Sequence, residues 1–166
     1  SAQSSPMTRP PTWLLALLVG TAIIGGGALA VTSGVFADDY EWTTVTVVDD
    51  DTDAELATVD ARIADTFDKR YTGLSNTTAL GPNEGMLFIH NNEGRRGYVM
   101  RDMAFPIDIV FIDADGEITT IHHAEPDDDE TFRGTAKYVL EVPYNYTTDN
   151  DIAVGDQVEI PAEYRS

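Results

Sequence analysis

Four side chains stand out for the chemistry they could do: Arg101, Asp102, Asp108 and Glu141. They belong with Met86, Tyr98 and Met100, in or after the densest apolar stretch beyond the N-terminal region. Arg95, Arg96 and Arg101 fall within seven positions and make up three of the ten basic residues in the chain. A planar guanidinium offers two parallel donors, so a small anionic ligand would find a bidentate partner here. The plainer reading is that these arginines neutralise neighbouring carboxylates and fix strand register, because such ion pairs are usually structural. In an enzyme, Asp108 or Glu141 would serve as general acid or base. The methionines are more simply core filler.

Other chemistries find little support. His122-His123 followed by Asp127-Asp128-Asp129-Glu130 is the best metal candidate, since imidazole with carboxylates suits zinc or manganese. Adjacent strand residues point to opposite faces, however, so the two histidines cannot easily share one ion and no metal is expected. Asp113-Ala114-Asp115-Gly116-Glu117 imitates the start of a calcium loop but lacks the distal glutamate. The sequence has no nucleophile elbow, phosphate-binding glycine loop, zinc-protease motif or dinucleotide fingerprint, and so implies no cofactor. It also has no cysteine, which excludes disulfides, thiolate metal sites and a thiol nucleophile.

The elements that must carry these residues read mostly as strands. Gly85-Met86-Leu87-Phe88-Ile89 is a short apolar run, Asn91-Asn92-Glu93-Gly94 reads as a turn, and Tyr98-Val99-Met100 opens a second strand. Pro106 interrupts that strand. Residues 107–112 form a third, apolar on nearly both faces and therefore central, with Asp108 partly buried and in need of a partner. Arg101 and nearby backbone N–H groups are the candidates. Strands are also expected over residues 42–48, 55–64, 117–122, 137–143 and near 158, with Tyr138 and Leu140 on one face and Val139 and Glu141 on the other. Thr66 as N-cap and Gly73 as stop bound a short helix, whose Phe67 and Tyr71 should face the core with Leu74. Asp49-Asp50-Asp51-Thr52-Asp53 and Asp115-Gly116 read as turns, and residues 144–151 as a turn-rich stretch with a helical turn.

Gly85-Met86-Leu87-Phe88, then Tyr98-Val99-Met100-Arg101-Asp102-Met103, then Pro106-Ile107-Asp108-Ile109-Val110-Phe111-Ile112-Asp113 resembles the bacterial and archaeal family named domain of unknown function 192. Arg70-Tyr71-Thr72-Gly73-Leu74, Val139-Leu140-Glu141 and Gly155-Asp156-Gln157-Val158 extend the resemblance over about residues 56–160. Asp102 stands where the family usually has Asn, and Met103 where it usually has Thr. The resemblance implies a compact, mostly β domain and assigns no activity.

The net charge is −19, from 29 acidic and 10 basic residues, and every acidic residue follows position 37. A surface this acidic excludes nucleic-acid binding, because no basic patch displaces counterions. Its self-repulsion is screened at molar salt, where the Debye length falls to roughly 3 Å, so the composition is like that of proteins from salt-loving archaea.

Residues 1–12 read as a disordered tail. Residues 13–36 carry no charge and are long enough to cross a membrane. Arg9 before them and Asp38, Asp39 and Glu41 after them orient the chain with its N-terminus inside and the domain outside. The alternative is a signal segment cleaved after Ala37 or Ala30, giving a secreted protein. An acidic linker with one strand over residues 37–54, a globular domain over 55–161 and a tail over 162–166 complete the organisation. Asn76 and Asn145 open glycosylation sequons on the outer side.

The expected architecture is mainly β, a β-rich α+β domain. It forms a compact sandwich or partly closed barrel with one or two short helices, preceded by one N-terminal transmembrane helix. The expected function is a membrane-anchored accessory module outside the cell that binds a small molecule or a surface protein. The alternatives are a hydrolase-type enzyme using Asp108 or Glu141 and a purely structural surface protein.

Overall fold

A computed structural model describes residues 40–166. The tail expected over 1–12 and the membrane segment expected over 13–36 lie outside the described residues. Among the described residues no helix is long and apolar enough to cross a membrane.

Seven strands form one mixed sheet: β1 (Trp42–Val48), β2 (Glu55–Ala64), β3 (Glu84–Tyr98), β4 (Ile107–Ile112), β5 (Ile118–Ala124), β6 (Phe132–Pro143) and β7 (Gln157–Glu159). Helix α1 (Phe67–Thr72) follows β2 and helix α2 (Tyr146–Asp149) follows β6. The spatial order is β5-β4-β6-β3-β2-β1-β7. All pairs are antiparallel except β2 with β3. The parallel step follows from the connection: the chain leaves β2, turns through α1 and a loop, and re-enters the sheet in the same direction.

The two sheet edges meet at one corner, making a partly closed barrel. Glu117 bridges Gln157, and Val158 N–H donates to the Gly116 carbonyl at 2.8 Å. Gly116 has φ +90°, and a Cβ there would meet the Val158 carbonyl oxygen at 2.7 Å, so this closure needs glycine. Strand alternation sorts the apolar residues into two cores. Val45, Val47, Val59, Ile63, Leu87, Val110, Ile112, Tyr138, Leu140 and Val142 fill one. Met86, Phe88, Met100, Ile107, Ile109, Phe111 and Val139 pack on the other face with Leu74.

One local expectation is met and three change. The strand expected within the 37–54 linker is β1, paired with both β2 and β7, so the sheet already begins at Trp42. The turn expected at Asn91-Asn92-Glu93-Gly94 is an irregularity inside one fifteen-residue strand, because β6 stays alongside on either side of it, with Ile89 opposite Tyr138 and Gly94 opposite Ala136. The strand expected to start at Tyr98 instead ends there. Helix α1 does begin at the Thr66 cap, whose side chain accepts from Lys69 N–H, and stops at Gly73 with φ 51°. Its Phe67 and Tyr71 are 73% and 63% exposed, however, and only Leu74 reaches the core.

Asp108 is fully buried. It lies on the first core's face of β4, opposite Val142 of β6, and its partner is not Arg101. One carboxylate oxygen accepts from Asn145 N–H at 3.0 Å and from His123 Nδ1 at 2.6 Å. The other accepts from the N–H and the hydroxyl of Thr147, at 2.9 and 2.6 Å. Asn145 provides no side-chain cap for α2, so Asp108 supplies from across the sheet the acceptor that a helix start requires.

Asp108→Ala leaves these donors without an acceptor and should lower stability by about 3 kcal/mol, whereas Thr147→Val should cost about 1 kcal/mol. Chemical denaturation of both variants checks this; an Asp108→Ala protein as stable as the wild type would refute the role.

Candidate functional site

Beyond Ala64, strand β2 ends and the chain swings away into α1, while β3 continues to Tyr98. The space between α1 and this extension of β3 is a cleft of about 510 Å³. That is within the roughly 300–1,000 Å³ usual for small-molecule sites. Phe67, Arg70 and Tyr71 line one wall, Arg95, Arg96 and Tyr98 the other, and Phe88, His90 and Glu141 also face the cleft.

Glu141 is the anomalous group. Alternation places it on the second, apolar face of β6, opposite Met86 of β3 and Ile109 of β4. Gly85 permits this close pairing, since a Cβ there would meet the Glu141 carbonyl oxygen at 2.4 Å. Among the described residues no hydrogen bond or ion pair holds its carboxyl. Burial therefore pushes its pKa up to about 8, and it keeps its proton at neutral pH. A protonated carboxyl facing a cleft can donate a hydrogen bond or a proton.

Beside it, the Tyr98 hydroxyl and His90 Nε2 are hydrogen-bonded at 2.8 Å. Burial, reinforced by Glu141, holds the Tyr98 phenol above its ordinary range. Burial first, then the charges of Arg96 and Arg70, lower His90 to about 4, so its ring is neutral at pH 7. The Tyr98 ring is fixed edge-on against Phe88 at 5.1 Å and Phe111 at 5.8 Å.

The basic rim is held mainly by backbone acceptors. Arg70 donates to the carbonyls of Asp65 and Ile89 at 2.8 and 2.9 Å. Arg96 donates to the carbonyls of Ala136 and Asn92. Arg101 lies 4.3 Å over the Tyr71 ring, donates to the Tyr71 carbonyl, and has an exposed pairing with Asp102 at 3.8 Å. No carboxylate of a described residue forms an ion pair with Arg70, Arg95 or Arg96. In a chain of 29 acidic residues, four of the ten basic ones face one cleft.

Of the seven residues singled out in the sequence, Tyr98, Arg101 and Glu141 line this cleft. Met86 and Met100 are buried in the second core with Phe88. Asp102 is exposed at φ 57° in the turn after β3, and Asp108 lies on the opposite face of the sheet. Asp108 and Glu141 therefore cannot work as a carboxylate pair. The neighbouring histidines also diverge, His122 bonding the Arg133 carbonyl and His123 bonding Asp108. Sequence reading missed Phe67, Arg70, Tyr71 and His90 as site residues. Phe67 and Tyr71, four apart on a capped six-residue helix, offered a signal, because so short a helix need not bury both rings.

The model of domain of unknown function 192, described as an uncharacterised ACR family, matches residues 47–160. The chain belongs to this family. This DUF192 chain is 32% identical over 104 residues to a UPF0127 protein of Thermococcus sibiricus, a match covering 61% of the chain. It spans only 66% of that relative's length. A crystal structure from Sinorhizobium meliloti 1021, named a proposed transcription regulator, has a TM-score of 0.69 at 25% identity, covering 74% of this chain and 95% of that one. A protein of unknown function from Novosphingobium aromaticivorans has a TM-score of 0.67 at 27% identity, covering 75% and 94%. The DUF192 family thus accounts for the barrel, while the likeness to salt-loving archaea rests on composition alone.

Because folded Glu141 holds its proton more tightly than an unfolded glutamate, the folded state binds the extra proton between about pH 4.5 and about 8. Stability from this group is present below the unfolded pKa and is lost as pH rises through about 8. Glu141→Gln should therefore stabilise the protein increasingly from pH 5 to pH 8, by a few kcal/mol at the upper end. Denaturation of both proteins across that range checks it; a difference that does not change with pH would contradict the assignment.

Proposed function

We propose that the DUF192 domain is a binding module for a small or extended anionic ligand, held outside the cell membrane by residues 13–36. The observation that carries the binding reading is the convergence of Arg70, Arg95, Arg96 and Arg101 on one cleft, three of them without a carboxylate partner among the described residues. Guanidinium groups without carboxylate partners in so acidic a chain suit an external carboxylate, phosphate or sulfate. Neutral Glu141 at the cleft permits such a ligand, since it adds no like charge. The exposed rings of Phe67 and Tyr71 offer an apolar wall beside the charge. The membrane reading is supported by the uncharged 13–36 stretch and its flanking charges.

The name given to the Sinorhizobium structure does not transfer readily. A net charge of −19 opposes contact with a phosphate backbone, and the basic residues of the cleft form no extended face. A hydrolase-type reading keeps one specific support, the protonated Glu141, as a general acid requires. Asp108 has no part in it, because both its oxygens are occupied in the fold.

The test is calorimetry and thermal unfolding of the full chain with citrate and inorganic phosphate, in molar KCl. A bound anion at about 100 times its Kd should add roughly 2.7 kcal/mol to stability. Arg95→Ala and Arg101→Ala, both on exposed side chains, should each weaken binding about tenfold, equal to about 1.4 kcal/mol. Binding unaffected by either change would remove the cleft from consideration. The full chain should sediment with membranes, and deletion of residues 13–36 should release it; a full chain found entirely in the soluble fraction would refute the anchor.

A further inference from the structure

The cleft is bounded by an unpaired sheet edge as well as by arginines. Strand β3 pairs with β2 only from Glu84 opposite Asp60 to Phe88 opposite Ala64. Its continuation pairs with β6 on the other side, from Gly94 opposite Ala136 to Tyr98 opposite Phe132. No described strand lies along the second edge of residues 89–98. The ladder stops at a definite point, because Arg70 takes the first carbonyl past it, that of Ile89. From there the edge runs along the cleft, which residues 95–99 line.

Open edges are usually blunted by charge, by proline or by a covering element. This edge carries Arg95 and Arg96, no proline, and α1 set back far enough to leave the cleft. We propose that the cleft takes an extended acidic peptide segment, which adds as a further strand to the free edge of β3 while Arg70, Arg95, Arg96 and Arg101 pair with its carboxylates. This rests on the anionic-ligand reading and names the ligand class.

Several features favour a peptide over a compact anion. An added strand has its own N–H and C=O groups to match those of the edge, which a compact anion lacks. At ~3.3 Å per residue, the five positions 95–99 correspond to roughly four or five residues of ligand. Alternation puts Arg96 and Tyr98 on one face of β3 and Arg95 on the other, so successive side chains of the added strand meet guanidinium on both faces. Phe67 and Tyr71 stand opposite the edge, where alternate apolar side chains of the peptide would pack.

The experiment uses the full chain and three probes. The first is a blocked pentapeptide of alternating valine and glutamate. The second is the same peptide N-methylated at alternate residues, which keeps its charge and side chains but cannot complete a ladder. The third is citrate. Calorimetry gives affinities, and amide hydrogen exchange reports on residues 95–99. The acidic peptide should bind, its N-methylated form at least tenfold more weakly, and exchange over residues 95–99 should slow only with the first. Arg95→Glu and Arg101→Glu, both at exposed positions, should abolish peptide binding while each variant still unfolds cooperatively, with Arg95→Glu melting close to the wild type. If citrate and both peptides bind equally and exchange does not slow, strand addition is overturned and the anionic cleft stands. If no probe binds and the charge reversals change nothing, both readings fall.

Discussion

Asp108 is the interaction on which much of the domain's organisation depends. A carboxylate with no exposed surface costs several kcal/mol to desolvate unless its lone pairs are met. Here four donors meet them, and they come from β5, from the turn after β6 and from the first turn of α2. A single charge on a central strand thus fixes where the chain turns after its longest antiparallel pairing. The Asn145 backbone takes up the left-handed conformation, at φ 64°, that delivers its N–H to Asp108.

The second buried carboxylate is treated in the opposite way. Glu141 lies on the other face of the sheet, among apolar neighbours on β3 and β4, with no donor among the described residues to hold its charge. Two acids on neighbouring strands therefore differ in role by the parity of their positions. Asp108 faces the interior of the barrel with Val142, whereas Glu141 faces outward with Ile109. One carboxylate anchors the fold and the other is left facing the cleft.

Much of this was legible from alternation. The pattern of residues 137–143 placed Glu141 with Val139 and apart from Tyr138 and Leu140, as found. The pattern of 107–112 separated Asp108 from the isoleucines beside it and showed that it needed a partner. His123 stands directly opposite Asp108 across the β4–β5 hairpin and follows from the register of that hairpin, whereas the backbone donors were not legible, because they lie 37 and 39 residues away in a turn whose closeness to β4 comes only from the β4–β6 pairing. Arg101 was the nearer choice along the chain and the wrong one in space. The length of β3 was hidden for a similar reason. Asn91-Asn92-Glu93-Gly94 has good turn chemistry, yet pairing with β6 on either side of it overrides that local preference. The cleft depends on where β2 stops relative to β3, which neither strand's own sequence states.

The contrast between a basic cleft and an acidic body bears on how a ligand would arrive. At low ionic strength, where the screening length is roughly 30 Å, an approaching anion senses the whole charge of −19 and is turned away before it reaches the arginines. In molar salt the screening length is roughly 3 Å, and only groups in contact are felt. A ligand of the proposed kind would then be captured without long-range steering, at the rates of uncharged partners, and selectivity would lie in how long it stays. Salt would therefore open access to this cleft, the reverse of its effect on a basic protein that attracts anions from afar.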